Sequence, residues 1–246
     1  MAIIVNADDF GLSHEVNLAI CEAFKKGLIN RTTLMANMPF AKEAMDMAVQ
    51  EGFVDRVGLH LNLTAGKPLS DFMSFDRIMC DENGMFTADF ARNIKTRFFL
   101  PRDTSKRVEE EIRMQLNKYR ELGGVLWHVD SHHHVHTDPS VWKAFRRAVK
   151  KDETGTGINY PISGVRLGRN MYRGGNPLMH IYKAVYNSSV RKYCKNQSDF
   201  FGSMEDYKNY FGKEAPKNLA IEIMVHPMYS ENRTLMDSDR ELERVL

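Results

Sequence analysis

Five of the nine histidines in this chain fall within nine residues, in Trp127-His128-Val129-Asp130-Ser131-His132-His133-His134-Val135-His136. Imidazole is the commonest protein metal ligand and a frequent general acid or base. Read as a strand, the segment alternates. His128, Asp130, His132 and His134 share one face, and Val129, His133 and Val135 share the other. An apolar back and an ionisable front make one wall of a metal site. His132 shares the front with Asp130 and His134, whereas His133 points away. The residues alone leave open which of the three binds metal. His136 lies past the strand, near Asp138-Pro139, and reads as a helix-start or surface residue.

Other apolar runs end in polar groups. Asp8-Asp9 closes a run begun by Ile3-Ile4-Val5, and two adjacent carboxylates are costly to bury without a cation or proton between them. In Leu59-His60-Leu61-Asn62-Leu63-Thr64 the leucines alternate with polar residues. In Ile221-Glu222-Ile223-Met224-Val225-His226, Glu222 and His226 face away from the β-branched set. Arg166 sits between Val165 and Leu167. Each has a plain structural reading: an acidic helix start before Ser13, a satisfied core histidine, a strand-end residue, an ion-pair arginine. Glu222 carries no chemical role beyond a buried ion pair with Arg166. Together they favour a metal centre, because polar groups gathered at the C-terminal ends of several strands are where barrel active sites lie. One Asp and two His leave coordination positions for water and substrate, as a hydrolytic centre requires. Mixed oxygen and nitrogen ligation suits Zn, Co, Ni, Mn or Fe, whereas Mg prefers more oxygen.

The elements that must position these groups alternate between strand and helix. Strands are expected near 3–9, 32–36, 57–64, 128–134, 164–167, 199–201 and 219–226. Helices are expected from Ser13 to Gly27 and over 41–50, 87–99, 104–122, 139–151, 177–195 and 204–211, with a long aperiodic loop at 65–86. This pattern predicts one α/β domain over residues 1–246, a distorted or incomplete TIM-like (β/α) barrel of about seven strands. A doubly wound open sheet is the other architecture it allows. The end, Glu241-Leu-Glu-Arg-Val-Leu246, reads as a helix with no strand after it, so an eighth strand is not expected. Phe72, Phe75 and Phe86 in the long loop offer an aromatic stacking surface.

The chain has 246 residues with 43% hydrophobic and 27% charged, and 34 basic against 32 acidic side chains give a formal charge of +2. That balance gives no electrostatic case for nucleic acid or an anionic membrane. No run approaches the roughly 18 apolar residues of a membrane span. The start enters a strand directly, without a basic or long apolar leader, so no signal peptide is expected. Cys21, Cys80 and Cys194 are widely spaced and odd in number, and read as free thiols of a cytoplasmic protein.

Four motifs taken together, Asn6-Ala7-Asp8-Asp9-Phe10-Gly11, Gly58-Leu59-His60-Leu61-Asn62-Leu63-Thr64, the histidine run, and Val225-His226-Pro227, resemble the YdjC-like carbohydrate deacetylases. They appear in that family's order and span residues 6–227. The resemblance implies a distorted TIM-like barrel, one divalent metal (Mg by the family's record), removal of acetyl groups from N-acetylated sugars of chitobiose type, and a homodimer. Carried over by motif, Asp9, His60 and His132 are the metal ligands, Asp8 the general base and His226 the general acid. Arg166 resembles the arginine that orients the base. Asp130 is placed to fix a histidine tautomer, and His134 to contact substrate or support the ligands. One departure is that family members continue past the last helix into a closing strand.

Two other classes remain in view. His-x-His occurs twice, at 132–134 and 134–136, and metal-dependent phosphoesterases or amidohydrolases use that spacing, although usually on the first strand. A non-catalytic metal- or sugar-binding module would need only the histidine cluster, not polar groups spread over several strands.

Overall fold

A computed structural model of the chain describes residues 2–150, 160–194, 198–212 and 218–245. Seven parallel strands form one curled sheet: β1 (Ala2–Phe10), β2 (Arg31–Leu34), β3 (Val57–Leu61), β4 (His128–Ser131), β5 (Gly164–Val165), β6 (Phe200–Ser203) and β7 (Ala220–Val225). Their order is β5-β4-β3-β2-β1-β7-β6. The helices between them are α1 (His14–Lys25), α2 (Ala41–Gln50), α3 (Asp71–Ser74), α4 (Asp89–Arg92), α5 (Ile94–Phe98), α6 (Arg102–Glu121), α7 (Pro139–Ala148), α8 (Pro177–Tyr193) and α9 (Met204–Phe211). This is the expected incomplete TIM-like barrel, and the doubly wound alternative is set aside.

The alternation seen in the sequence sorts the two faces of the sheet. Ile3, Val5, Ala7, Leu59, Val129, Val165, Ile221 and Ile223 are buried in the apolar core. The other face carries Asn6, Asp8, Thr33, His60, Asp130, Arg166 and Glu222, all buried. The interior of the curl is therefore a polar network rather than the layered aliphatic filling of a common barrel.

Among the described residues the barrel opens between β5 and β6. β7 pairs with β1, with Ala7 opposite Val225, as the last strand of a barrel should. No ladder joins β5 to β6 among the described residues. Residues 166–171 cross that gap instead: the Asn170 and Met171 amides donate to the Phe201 carbonyl at 3.1 and 3.2 Å. The expected C-terminal helix is corrected. β8 (Pro227–Tyr229), β9 (Leu235–Asp237) and β10 (Arg240–Glu241) form a small antiparallel sheet. Leu242 is buried and its amide donates to the Leu235 carbonyl, so apolar spacing that suggested a helix serves a hairpin. Leu246 lies outside the described residues. Tyr229 ties this sheet to α1 by donating to Glu22 at 2.6 Å.

Several boundaries move. Ser13 caps α1 as expected, accepting from the Val16 amide. The helix expected over 87–99 is two short ones, and that expected at 104 begins at Arg102 behind Pro101. The expected ends at 151 and 195 lie outside the described residues. Among the described residues, no helix is long and apolar enough to cross a membrane.

β3 approaches its neighbours closely at Gly58. A Cβ there would meet the His128 carbonyl oxygen at 2.8 Å and Thr33 Cγ2 at 3.0 Å. Gly58→Ala is expected to cost about 1–3 kcal/mol by forcing strands apart, read as a lower urea midpoint than wild type.

Candidate metal centre

Asp9 stands at the end of β1 with φ +68°. This left-handed conformation costs of order 1–3 kcal/mol in a non-glycine residue. It turns two successive carboxylates to different partners. Asp8 faces Arg166, and Asp9 faces two histidines.

Asp9 Oδ1 lies 3.1 Å from His60 Nε2 and 2.8 Å from His132 Nδ1. The three donor atoms all fall within 4.8 Å of one another. One carboxylate oxygen and two imidazole nitrogens converging this closely fit a single divalent cation. The other nitrogen of His60, Nδ1, faces Asp130 Oδ1 at 2.7 Å, the carboxylate support that metal-bound histidines usually have. Burial opposes the charged form of Asp9, but hydrogen bonds from His132 and His60 outweigh it and hold its carboxyl well below the usual carboxylate range. Burial likewise disfavours His60⁺, but the Asp130 charge and hydrogen bond and the Asp9 hydrogen bond raise its pKa to about 10. Two carboxylates flanking one imidazole call for a positive charge between them, which a proton or a metal can supply.

Two further clusters of ligand-type residues exist, Asp8 with His60 and Asp130, and His128 with Asp130 and Glu222. Both already contain a cation. The fully buried Arg166 binds Asp8 with two hydrogen bonds at 2.6 and 2.7 Å, reaches Asp130 at 2.6 Å and donates to Glu222 at 2.7 Å. Its guanidinium supplies a positive charge to the carboxylates of both clusters. Glu222 therefore has the ion pair with Arg166 expected of it. Burial works against ionising Glu222, yet Arg31 and Arg166 keep it well below the usual range.

The histidine run divides differently from its strand reading. β4 ends at Ser131, and His132–Thr137 is a 3-10 turn in which His133 and His134 take φ of 53° and 55°. Alternation therefore stops before His132, and the front face ends at Asp130. His132 reaches Asp9 because the chain turns there. His133 is exposed and contacts Thr64 Oγ1 at 3.1 Å. His134 lies half-buried, its Nδ1 has no hydrogen-bond partner, and its ring meets the edge of Phe201. Burial, with Arg166 nearby, lowers its pKa to about 4. His136 is a core residue rather than a surface one: Nδ1 meets Ser131 Oγ and Nε2 meets the Arg166 carbonyl.

His226 follows β7 directly. Since Ala7 pairs with Val225, Asp8 and His226 are the next residues on neighbouring strand ends. Sequence reasoning missed Thr33, whose hydroxyl donates to Asp130 at 3.0 Å, and Arg31, 2.8 Å from Glu222. The alternation Arg31-Thr32-Thr33-Leu34 carried that signal. It also missed the tethers of the 65–86 loop. Glu111 accepts from the Leu69 and Ser70 amides, and Gln115 brackets Asn62. On that loop Phe72 and Phe75 are exposed as expected, but Phe86 is buried.

The YdjC-like protein family model matches residues 2–245, and the chain belongs to that family. A carbohydrate deacetylase of Clostridium beijerinckii is 30% identical over all of this chain and 89% of its own length. A carbohydrate deacetylase of Thermoanaerobacter pseudethanolicus is 31% identical, covering 98% of this chain and 88% of its own length. Among solved structures, one from Enterococcus faecalis V583, named a "putative cellobiose-phosphate cleavage protein", is similar with a TM-score of 0.63. It shares 22% identity, over 94% of this chain and 82% of that one, and supports the fold.

His132→Ala is expected to lower bound metal well below one ion per chain by elemental analysis, while His133→Ala retains it. Unchanged metal in His132→Ala would move the ligand to His133 or His134. A second expectation concerns stability. Burial depresses the pKa of His136 from 6.5 to about 3, so below pH 6.5 the unfolded chain takes up a proton that the folded one refuses. Stability should fall as pH drops from 6.5 toward about 3, by at most roughly 5 kcal/mol from this group. The urea midpoint measured from pH 7 to 4 should decline less steeply in His136→Gln.

Proposed function

We propose that this chain is a metal-dependent hydrolase that removes acetyl groups from N-acetylated sugars, chitobiose-like or other small oligosaccharides, and releases acetate. The convergence of Asp9, His60 and His132 beside the Asp8–Arg166 pair carries this reading. Relatives named carbohydrate deacetylase across the whole chain support it. A divalent metal held by Asp9, His60 and His132 would polarise the acetyl carbonyl and make water acidic enough to attack. Mg follows from the family resemblance, while the two-imidazole donor set favours Zn or another transition ion.

Asp8 is the general base. Arg166 holds its carboxylate in one orientation by a two-pronged contact. Oδ1 accepts from both Arg166 and Asn6, whereas Oδ2 accepts from Arg166 alone and keeps a lone pair for the water's proton. His226, protonated, donates to the departing nitrogen, which would otherwise leave as an anion. Asp130 fixes His60 with Nε2 toward Asp9. His134, at the edge of the centre, faces substrate or supports the ligands. The exposed Phe72 and Phe75 rings suit stacking on sugar faces. The three cysteines are free and buried, in keeping with a cytoplasmic protein, and the family resemblance extends the reading to a homodimer.

Arg166 favours one metal over two, and so favours this reading over the two-metal phosphoesterase type. Asp8→Asn should keep its metal yet lose at least about 100-fold in deacetylation. Acetate release from a panel of N-acetylated mono- and oligosaccharides is the measurement. An active Asp8→Asn would remove the base assignment, and phosphate-ester hydrolysis without acetate release would favour the other class.

A further inference from the structure

We propose that Asp237 is a positioning residue for His226, pinning the main chain from which the general acid projects; this rests on the reading of His226 above. His226 sits at a junction, after the last residue of β7 and before Pro227, the first of β8. Proline restricts the residue before it to extended conformations. That constrains His226 on its C-terminal side only. On its N-terminal side the His226 amide donates to Asp237 Oδ1 at 2.8 Å. The two constraints together fix both peptide planes around the Cα that aims the imidazole.

Asp237 comes from a separate strand. Its register is opposite Pro227 in the β8–β9 pair, and Ser238 turns the chain immediately after it with φ +57°. The C-terminal sheet thereby delivers one carboxylate to the end of β7. That carboxylate is also within electrostatic reach of the reacting groups. Burial raises its pKa, the His226 amide and ring oppose the rise, and the charges of Asp8 and Asp239 add to it. Beyond the pin, Asp237 borders a cavity of about 470 Å³ beside Ser203, Glu205 and Asp239, so it is not sealed into a core whose loss would be merely structural.

The test is a double-mutant cycle on the metal-loaded full chain, with acetate release from diacetylchitobiose as the readout and metal content and melting temperature as controls. Asp237→Ala should lower kcat about 10–100-fold with KM nearly unchanged, the effect expected of a misaimed catalytic group. Asp237→Asn, whose amide oxygen still accepts the N–H, should recover most of that loss. On a His226→Ala background the same alanine change should have little further effect. Wild-type kcat in Asp237→Ala, or an equal fractional loss on both backgrounds, overturns the proposal. If His226→Ala itself keeps full kcat, the general-acid reading fails and this inference falls with it. Loss in His226→Ala with none in Asp237→Ala overturns this inference alone. Should the alanine variant not fold, Asp237→Glu retains the charge but displaces the acceptor. It should lose kcat where Asn keeps it, and the reverse order refutes the pin.

Discussion

A single buried guanidinium organises this protein. Arg166 contacts Asp8, Asp130 and Glu222 within the curl of the sheet, and the ring of Phe201 lies 4.8 Å from its centre. Removing these ions from water is expensive, and such clusters persist only where geometry and hydrogen bonding are good. Thr33 and Asn6 supply further hydrogen bonds to the carboxylates. Arg31 adds a second positive charge beside Glu222. The cluster orients Asp8 for one task and Asp130 for another. Asp130 passes the constraint on to His60, and His60 with Asp9 sets the place for a cation. Each of these side chains thus takes its position from a neighbour on another strand.

Much of this was legible in the sequence because strands alternate. Polar residues at every second position in otherwise apolar runs marked the inward face, and the marked residues are those that meet. His60, Asp130, Arg166 and Glu222 were visible in this way, and Asp8 and Asp9 as an adjacent carboxylate pair closing an apolar run. Legibility failed where the backbone leaves regular geometry. His132–His134 were assigned to a strand, yet the chain enters a turn with two consecutive left-handed residues, which no period-2 pattern shows. Asp9 was read for its charge, and its positive φ was not visible. Thr33 was overlooked because a threonine in a short strand is common, and only its neighbours give it meaning.

The C-terminal segment failed for another reason. Leu242 and Val245 have the spacing of a helix, but their partners are residues on β9 and elsewhere in the core. A short amphipathic run is ambiguous when tertiary contacts decide it. The expectation of an incomplete barrel was right. Fewer than eight strands were correctly read, β7 closes on β1, and the break falls between β5 and β6.

The pairing of β1 with β7 has a consequence for how the protein is made. β1 lies inside the finished sheet, and its β7 flank stays bare until residues 220–225 have been synthesised. Contacts this distant in sequence are slow to form. Arg166 is likewise 158 residues from Asp8. An emerging chain therefore carries Asp8 without its guanidinium partner until residue 166 has been added. The candidate centre is assembled only when β7 joins β1 and sets His226 on the strand end next to that of Asp8.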